Sequence, residues 1–334
     1  MKITILIASN HEDYTENLSK VLSQNHSDFV CVSMCTSLEK AKEALAEHKY
    51  DVALLEPYFI GKIDLSNIHL PLVLWTEEEK HDVPETLKKI SKYQRVSSLI
   101  ISIMEHYSKV SEHEHNIKSD NANITAVWSP VGGVGKTSVS LALAAKKASD
   151  GKQALYLNLE PFSSTSVYFN SAGKSISTVF DMIEAGEGNV NILTQGILRR
   201  DMTDSISYFC CPESFDDINV LSLDNVSSLI TACSELTEEL IIDMSSECNE
   251  RTRLILEIAD RVLLVADWTS TSRIKLSQFT SQHNVYARIK NKTHIIANKG
   301  AAINPSSAVE VIPLPLVQST DASIVYRTLS ANMY

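Results

Sequence analysis

The run Val131-Gly132-Gly133-Val134-Gly135-Lys136-Thr137-Ser138 carries the residue types that capture a polyphosphate. Three glycines let the backbone turn tightly and point several N–H groups into one concavity. A helix that starts directly behind them adds the positive end of its dipole. The Lys136 ammonium would neutralise the β- and γ-phosphates, and the Thr137 hydroxyl would ligate magnesium. The general spacing GxxxxGK[ST] is not met, because Pro130 occupies the first glycine position. A glycine-rich turn with an incidental lysine is the alternative reading, and the flanking elements decide against it.

Those elements are a strand over 124–128 and a helix over 137–148, the context that a phosphate loop requires. Further buried strands are expected at 154–159, 240–244, 261–266 and 294–297. Asp243 closes the second of these, and the carboxyl end of a buried parallel strand is where ligands bind in such sheets. The first hundred residues alternate in the same way. Strands fall at 2–8, 29–34, 52–55 and 70–75, and helices at 14–24, 38–48 and 96–107. Strands alternating with helices predict parallel sheets covered on both faces. Between 110 and 123 the run SEHEHNIKSDNAN is polar and aperiodic, which predicts a tether. His113 and His115 within it read as solvated residues rather than metal ligands. The expectation is therefore α/β: two doubly wound parallel-sheet domains, at 1–110 and 123–334, joined by a linker at 111–122.

Composition narrows the function classes. The chain has 334 residues, 44% hydrophobic and 21% charged, which suits two globular domains. Its net charge of −11, from 41 acidic against 30 basic residues, gives no bulk attraction for nucleic acid. The best local basic patch, Arg288, Lys290 and Lys292, is short and reads as a solvated rim. Six cysteines without a CxxC pair suggest reduced, mostly buried thiols in a cytoplasmic protein. No run is long and apolar enough to span a bilayer.

The GGVGKT variant resembles the deviant phosphate loop of MinD/ParA-type P-loop ATPases, and the resemblance extends over 124–329. It implies ATP with Mg2+ as ligands, an α/β P-loop fold and a homodimer. In that family a lysine precedes the paired glycines and reaches the partner's nucleotide; here Val131 stands there. The resemblance assigns Asp243 to magnesium through water, beside Thr137. It places Asn158-Leu159-Glu160 where the family carries Asp-x-Asp, so Glu160 keeps one catalytic carboxylate or is an ordinary turn residue. Water positioning tolerates little displacement, which implies slow hydrolysis, or none without a partner. Asn298, closing His294-Ile295-Ile296-Ala297-Asn298, matches the adenine contact, and Pro313 matches the loop that closes over the base.

Residues 1–109 resemble a response-regulator receiver domain without its acids. Ser9-Asn10 follow the first strand where two acidic residues would hold magnesium, and Glu56 stands where an aspartate would accept phosphate. Thr76 and Lys92 fall at the positions of the switch hydroxyl and lysine. Loss of the metal carboxylates implies that this domain is not phosphorylated. A Glu56–Lys92 ion pair fixing one conformation, or a plain docking surface, are the two readings left open. A pseudo-receiver joined to a MinD/ParA-like domain resembles the TadZ/CpaE group of Tad (Flp) pilus proteins. That implies pilus or secretion-machinery partners and recruitment to a pole or the inner membrane face. Partitioning or division-site positioning is the alternative.

Overall fold

The computed structural model describes residues 2–25, 30–76, 83–110, 122–171, 173–185, 190–300 and 310–333. The chain divides into two compact units, Met1–Ile117 and Lys118–Tyr334. The expected tether, with His113 and His115, lies outside the described residues except for Ala122. No helix among the described residues is long and apolar enough to cross a membrane.

The first unit runs β1 (Ile3–Ala8), α1 (Glu12–Asn25), β2 (Val30–Cys35), α2 (Leu38–Glu47), β3 (Tyr50–Leu55), β4 (Ile68–Trp75), β5 (Lys88–Ser91) and α3 (Val96–Val110). Its five strands are all parallel, in the order β2-β1-β3-β4-β5, the order of flavodoxin-like folds. Near-continuous apolar runs such as Ile3–Ala8 are buried on both faces, as a parallel sheet under helices demands. Strand β5 was not anticipated. Its sequence, KKIS, buries only Ile90 and presents no apolar run.

The second unit runs β6 (Asn123–Trp128), α4 (Lys136–Ser149), β7 (Ala154–Asn158), α5 (Thr165–Tyr168), α6 (Ser177–Ala185), α7 (Val190–Ile197), β8 (Arg199–Arg200), β9 (Ser207–Tyr208), α8 (Phe215–Asn219) and α9 (Leu223–Ser234). It continues through β10 (Glu239–Asp243), α10 (Glu250–Ile258), β11 (Arg261–Ala266), α11 (Ser270–Thr280), α12 (His283–Ile289), β12 (Thr293–Ala297), β13 (Val311–Pro313) and α13 (Ala322–Ser330). The eight strands order as β13-β12-β11-β6-β10-β7-β9-β8, parallel except for the two-residue pair β8–β9. Helix α4 buries Val139 to Ala145 almost without interruption, so it lies inside the unit, packed between the sheet and α13. That burial holds its first turn, and the loop before it, in place. The expected all-strand-and-helix reading is correct in class, while the helices α5 to α9 were not anticipated.

At the carboxyl end of the first sheet, Glu56 is buried to 3% exposure. It accepts hydrogen bonds from the Lys92 ammonium (2.5 Å), the Ser9 hydroxyl (2.7 Å) and the Asn10 backbone N–H (2.8 Å). Lys92 is equally buried, and Thr76 directly follows β4. Burial alone would push the Glu56 carboxyl up, but the bonds from Lys92, Ser9 and Asn10 outweigh it and hold it below the ordinary glutamate range. Such a depressed carboxyl stabilises the fold above the unfolded-state value and loses that contribution as pH falls through the folded one. The first unit should therefore melt progressively more easily as pH drops below about 4.5. Glu56→Gln leaves Lys92 buried without its countercharge and should cost about 3–5 kcal/mol at neutral pH. Pairing it with Lys92→Met should restore most of that loss, and thermal melts of the three proteins against pH check both outcomes.

Candidate nucleotide-phosphate site

The loop is built by alternating anchors and glycines. Strand β6 ends in Trp128, and Ser129 follows it, both fully buried; the Ser129 hydroxyl accepts the Val131 N–H at 3.1 Å. Val131 and Val134 face the core, 8% and 0% exposed, in one cluster with Val139 and Leu141 of α4. The side chain at 131 is thus turned inward, and only its backbone can meet a ligand. Gly132 and Gly133 stay exposed. Gly133 (φ +73) and Gly135 (φ +91) take left-handed backbone conformations, which L side chains adopt at a cost. Gly135 is the N-cap residue of α4, so the following amides face the loop with the helix dipole behind them. A Cβ at Gly135 would also meet the Asn298 side-chain nitrogen at 2.5 Å.

Behind the loop sits a buried polar centre. Asp243, at the end of β10 and fully buried, lies in register with Val127 on β6 and Asn158 on β7. Its Oδ2 accepts the Tyr156 hydroxyl at 2.8 Å and the Asn158 amide at 3.2 Å. The same amide reaches the Tyr156 hydroxyl oxygen at 2.9 Å. An aspartate at 158 would set two carboxylates this close, and mutual repulsion would force one to hold a proton; the amide donates instead. Burial pushes the Asp243 carboxyl up, and Tyr156, Thr137, Lys136 and Ser140 draw it back. Its Oδ1 is buried with no hydrogen-bond partner, an arrangement that calls for a ligand or ion.

Lys136 is 7% exposed. Its ammonium donates to the Ser246 hydroxyl at 3.0 Å and lies 3.8 Å from Glu160 Oε1. Glu160 is pushed up to about 7, first by burial and then by the Asp243 charge, with Lys136, Asn158 and Thr137 opposing. At neutral pH it is therefore divided between acid and carboxylate. The oxygen donors at hand, orphaned Asp243 Oδ1 with Thr137 in the first turn of α4, suit a hard cation such as Mg2+. The residues present fit that ion, whose charge would favour the ionised forms of both carboxylates.

Of the residues singled out from sequence, the glycines, Lys136, Thr137, Ser138, Glu160 and Asp243 gather around the loop. Asn298, 4% exposed at the end of β12, donates its side-chain amide to the Val134 carbonyl at 2.9 Å, so the contact it makes is with the loop itself. Pro313 ends the neighbouring strand in register with Ala297, and it is exposed. Tyr156 and Ser246 were missed. Tyr156 shares a face of β7 with Asn158 by the two-residue period of a strand, a signal that was there to use. Ser246 had none. The basic patch is engaged within the chain: Arg288 pairs with Glu257 at 2.9 Å, and Lys292 donates to the Glu257 and Ala259 carbonyls. All six thiols are free, and three of them, Cys35, Cys210 and Cys233, are buried.

No family model and no curated protein matches the sequence. Among solved structures, a ParA family ATPase from Chlorobium tepidum is similar with a TM-score of 0.52 at 15% identity, covering 63% of this chain and 91% of that one. The cell division ATPase MinD of Pyrococcus furiosus follows at 0.49 and 14%, covering 63% and 98%. The septum site-determining protein MinD of Pyrococcus horikoshii, complexed with Mg-ADP, gives 0.48 and 12%, covering 63% and 94%. The likeness to the first of these, over 63% of the chain, is one of fold: a largely parallel α/β sheet with a glycine loop between its first strand and a helix, as in that ParA family ATPase.

A raised carboxyl such as Glu160 stabilises the fold below its unfolded-state value, and that contribution is lost as pH rises through the folded value. The ligand-free protein should lose melting temperature between about pH 4.5 and pH 7 more steeply than its Glu160→Gln variant does. Equal slopes would show that Glu160 is already ionised. Gly135→Ala should cost about 2 kcal/mol or more from backbone strain and displacement of Asn298, read as a lower denaturation midpoint.

Proposed function

We propose that this chain binds ATP with Mg2+ and acts as a nucleotide-controlled homodimeric positioning or assembly factor with slow hydrolysis. The observation that carries the reading is the loop's ammonium, Lys136, buried within electrostatic reach of Asp243, one of whose oxygens has no partner. A triphosphate with its metal supplies what both lack: phosphate oxygens for the ammonium and the loop amides, and a cation for the carboxylate. Slow hydrolysis follows from Asn158 and Glu160. The first donates a hydrogen bond where a carboxylate would activate water, and the second carries its carboxylate on a longer arm, which displaces it from the position that water activation needs.

The finer assignment rests on the two-unit architecture. The first unit has a flavodoxin-like sheet whose buried Glu56 is already neutralised by Lys92, which suits a pseudo-receiver used for docking rather than phosphorylation. Joined to a MinD/ParA-like unit it is similar to the TadZ/CpaE group, and Tad (Flp) pilus biogenesis is the process we assign. Pilus or secretion-machinery proteins at a pole or the inner membrane face would be its docking partners. ATP would select the dimeric state, with hydrolysis as the reset. Partitioning or division-site positioning is the alternative reading; against its DNA-binding form, two of the three residues of the basic patch are tied to the chain itself.

Lys136→Ala should weaken ATP binding about a hundredfold in calorimetric titration. Wild-type protein should shift from monomer to dimer on adding ATP and Mg2+ in light scattering, and the variant should not. A wild-type mass unchanged by ATP would overturn the dimer switch. Salt-sensitive DNA affinity would favour the partitioning alternative.

A further inference from the structure

The turn after β12 touches the loop twice, and the sequence gives no reason for one of those contacts. Lys299 holds φ +60, a conformation uncommon for a residue with a long side chain. Its ammonium donates to the Gly133 carbonyl at 2.7 Å. Asn298, the residue before it, donates to the Val134 carbonyl at 2.9 Å. Two successive loop carbonyls are thus held by two successive side chains from a single turn. The turn is itself fixed, since Asn298 N–H bonds the Ala266 carbonyl at 2.8 Å and Gly300 N–H bonds the Leu314 carbonyl at 3.0 Å.

In a trans peptide the carbonyl and the following N–H point in opposite directions, and the chain contains no cis peptides among the described residues. Holding the Gly133 carbonyl toward the turn therefore aims the Val134 N–H away from it. Holding the Val134 carbonyl does the same for the Gly135 N–H. Gly133, without a Cβ and at φ +73, is the position where a peptide plane rotates most freely. We propose that Lys299 and Asn298 form a brace that sets the direction of these two amides, which makes Lys299 a positioning residue for the nucleotide phosphates. This rests on the nucleotide-binding reading above. The brace also brings a cation to the glycine run, where Val131 supplies none. The alternative partner of Lys299 is Asp267, whose Oδ2 lies at 3.9 Å, a longer and weaker contact than the 2.7 Å bond to the loop.

The test is calorimetric titration of the full chain with ATP and Mg2+, beside thermal melts without nucleotide. Lys299→Asn suits the left-handed backbone and removes the ammonium; it should bind ATP about tenfold more weakly while melting close to wild type. Lys299→Arg, which keeps a cationic donor, should retain affinity within about threefold. Asp267→Asn should leave affinity unchanged. Should Lys299→Asn fold poorly, Lys299→Gly relieves the backbone strain and should show the same tenfold loss. Wild-type affinity in Lys299→Asn or Lys299→Gly overturns the brace, and an equal loss in Asp267→Asn overturns it in favour of the ion pair. Absence of binding by the wild type overturns the nucleotide reading itself.

Discussion

A buried ammonium at the head of a helix needs an anion, and a buried carboxylate needs a cation or a donor for each oxygen. Lys136 and Asp243 state that requirement side by side at the carboxyl edge of the second sheet. Lys136 finds partial satisfaction in Ser246 and in Glu160 at 3.8 Å. Asp243 finds it on one oxygen only, through Tyr156 and Asn158. The strand order follows from the same need: β6, flanked by β10 and β11, brings the loop beside Asp243, and the buried helix α4 fixes where the amides point. The valines of the loop secure it to the core, and the glycines leave its outer face as bare backbone.

The two units use the edge of a parallel sheet in opposite ways. In the first, Glu56 accepts bonds from Lys92, Ser9 and Asn10, and its charge is fully answered within the chain. A carboxylate so neutralised is a poor acceptor for a metal or a phosphoryl group. In the second, the answer is incomplete, and Asp243 Oδ1 is left bare. The first centre is closed and suits a surface of constant shape; the second is open and suits a ligand-driven change. Ser246 lies three residues beyond the end of β10, so any anion that takes Lys136 also releases a hydroxyl in the segment that follows that strand.

Much of this was legible in the residues. Apolar runs such as Ile3–Ala8 and Arg261–Ala266 announced buried parallel strands, and GGVGKT between a strand and a helix announced the loop. The Glu56–Lys92 pair, one of two readings left open, is formed. Strand β5 was not legible because a four-residue edge strand with one buried side chain carries no period. Among the helices between β7 and β10, α5 and α8 are too short to show a period, whereas α9 buries Val226, Leu229, Ile230 and Cys233 at helical spacing, a signal that was there to use. Asn298 shows a different limit: a motif can place a residue at the site, but whether its amide faces a base or a loop carbonyl depends on packing that only the structure displays. The contact from Lys299 was invisible for the same reason.

The claim that Lys136 and Asp243 await a metal-bound triphosphate is tested most directly by titrating the protein with ATP in the presence and absence of Mg2+. The account predicts saturable binding that Mg2+ strengthens, with the Mg2+ gain lost in Asp243→Asn. Heat-silent titrations in both conditions, with no protection of the melting transition by ATP, would contradict it.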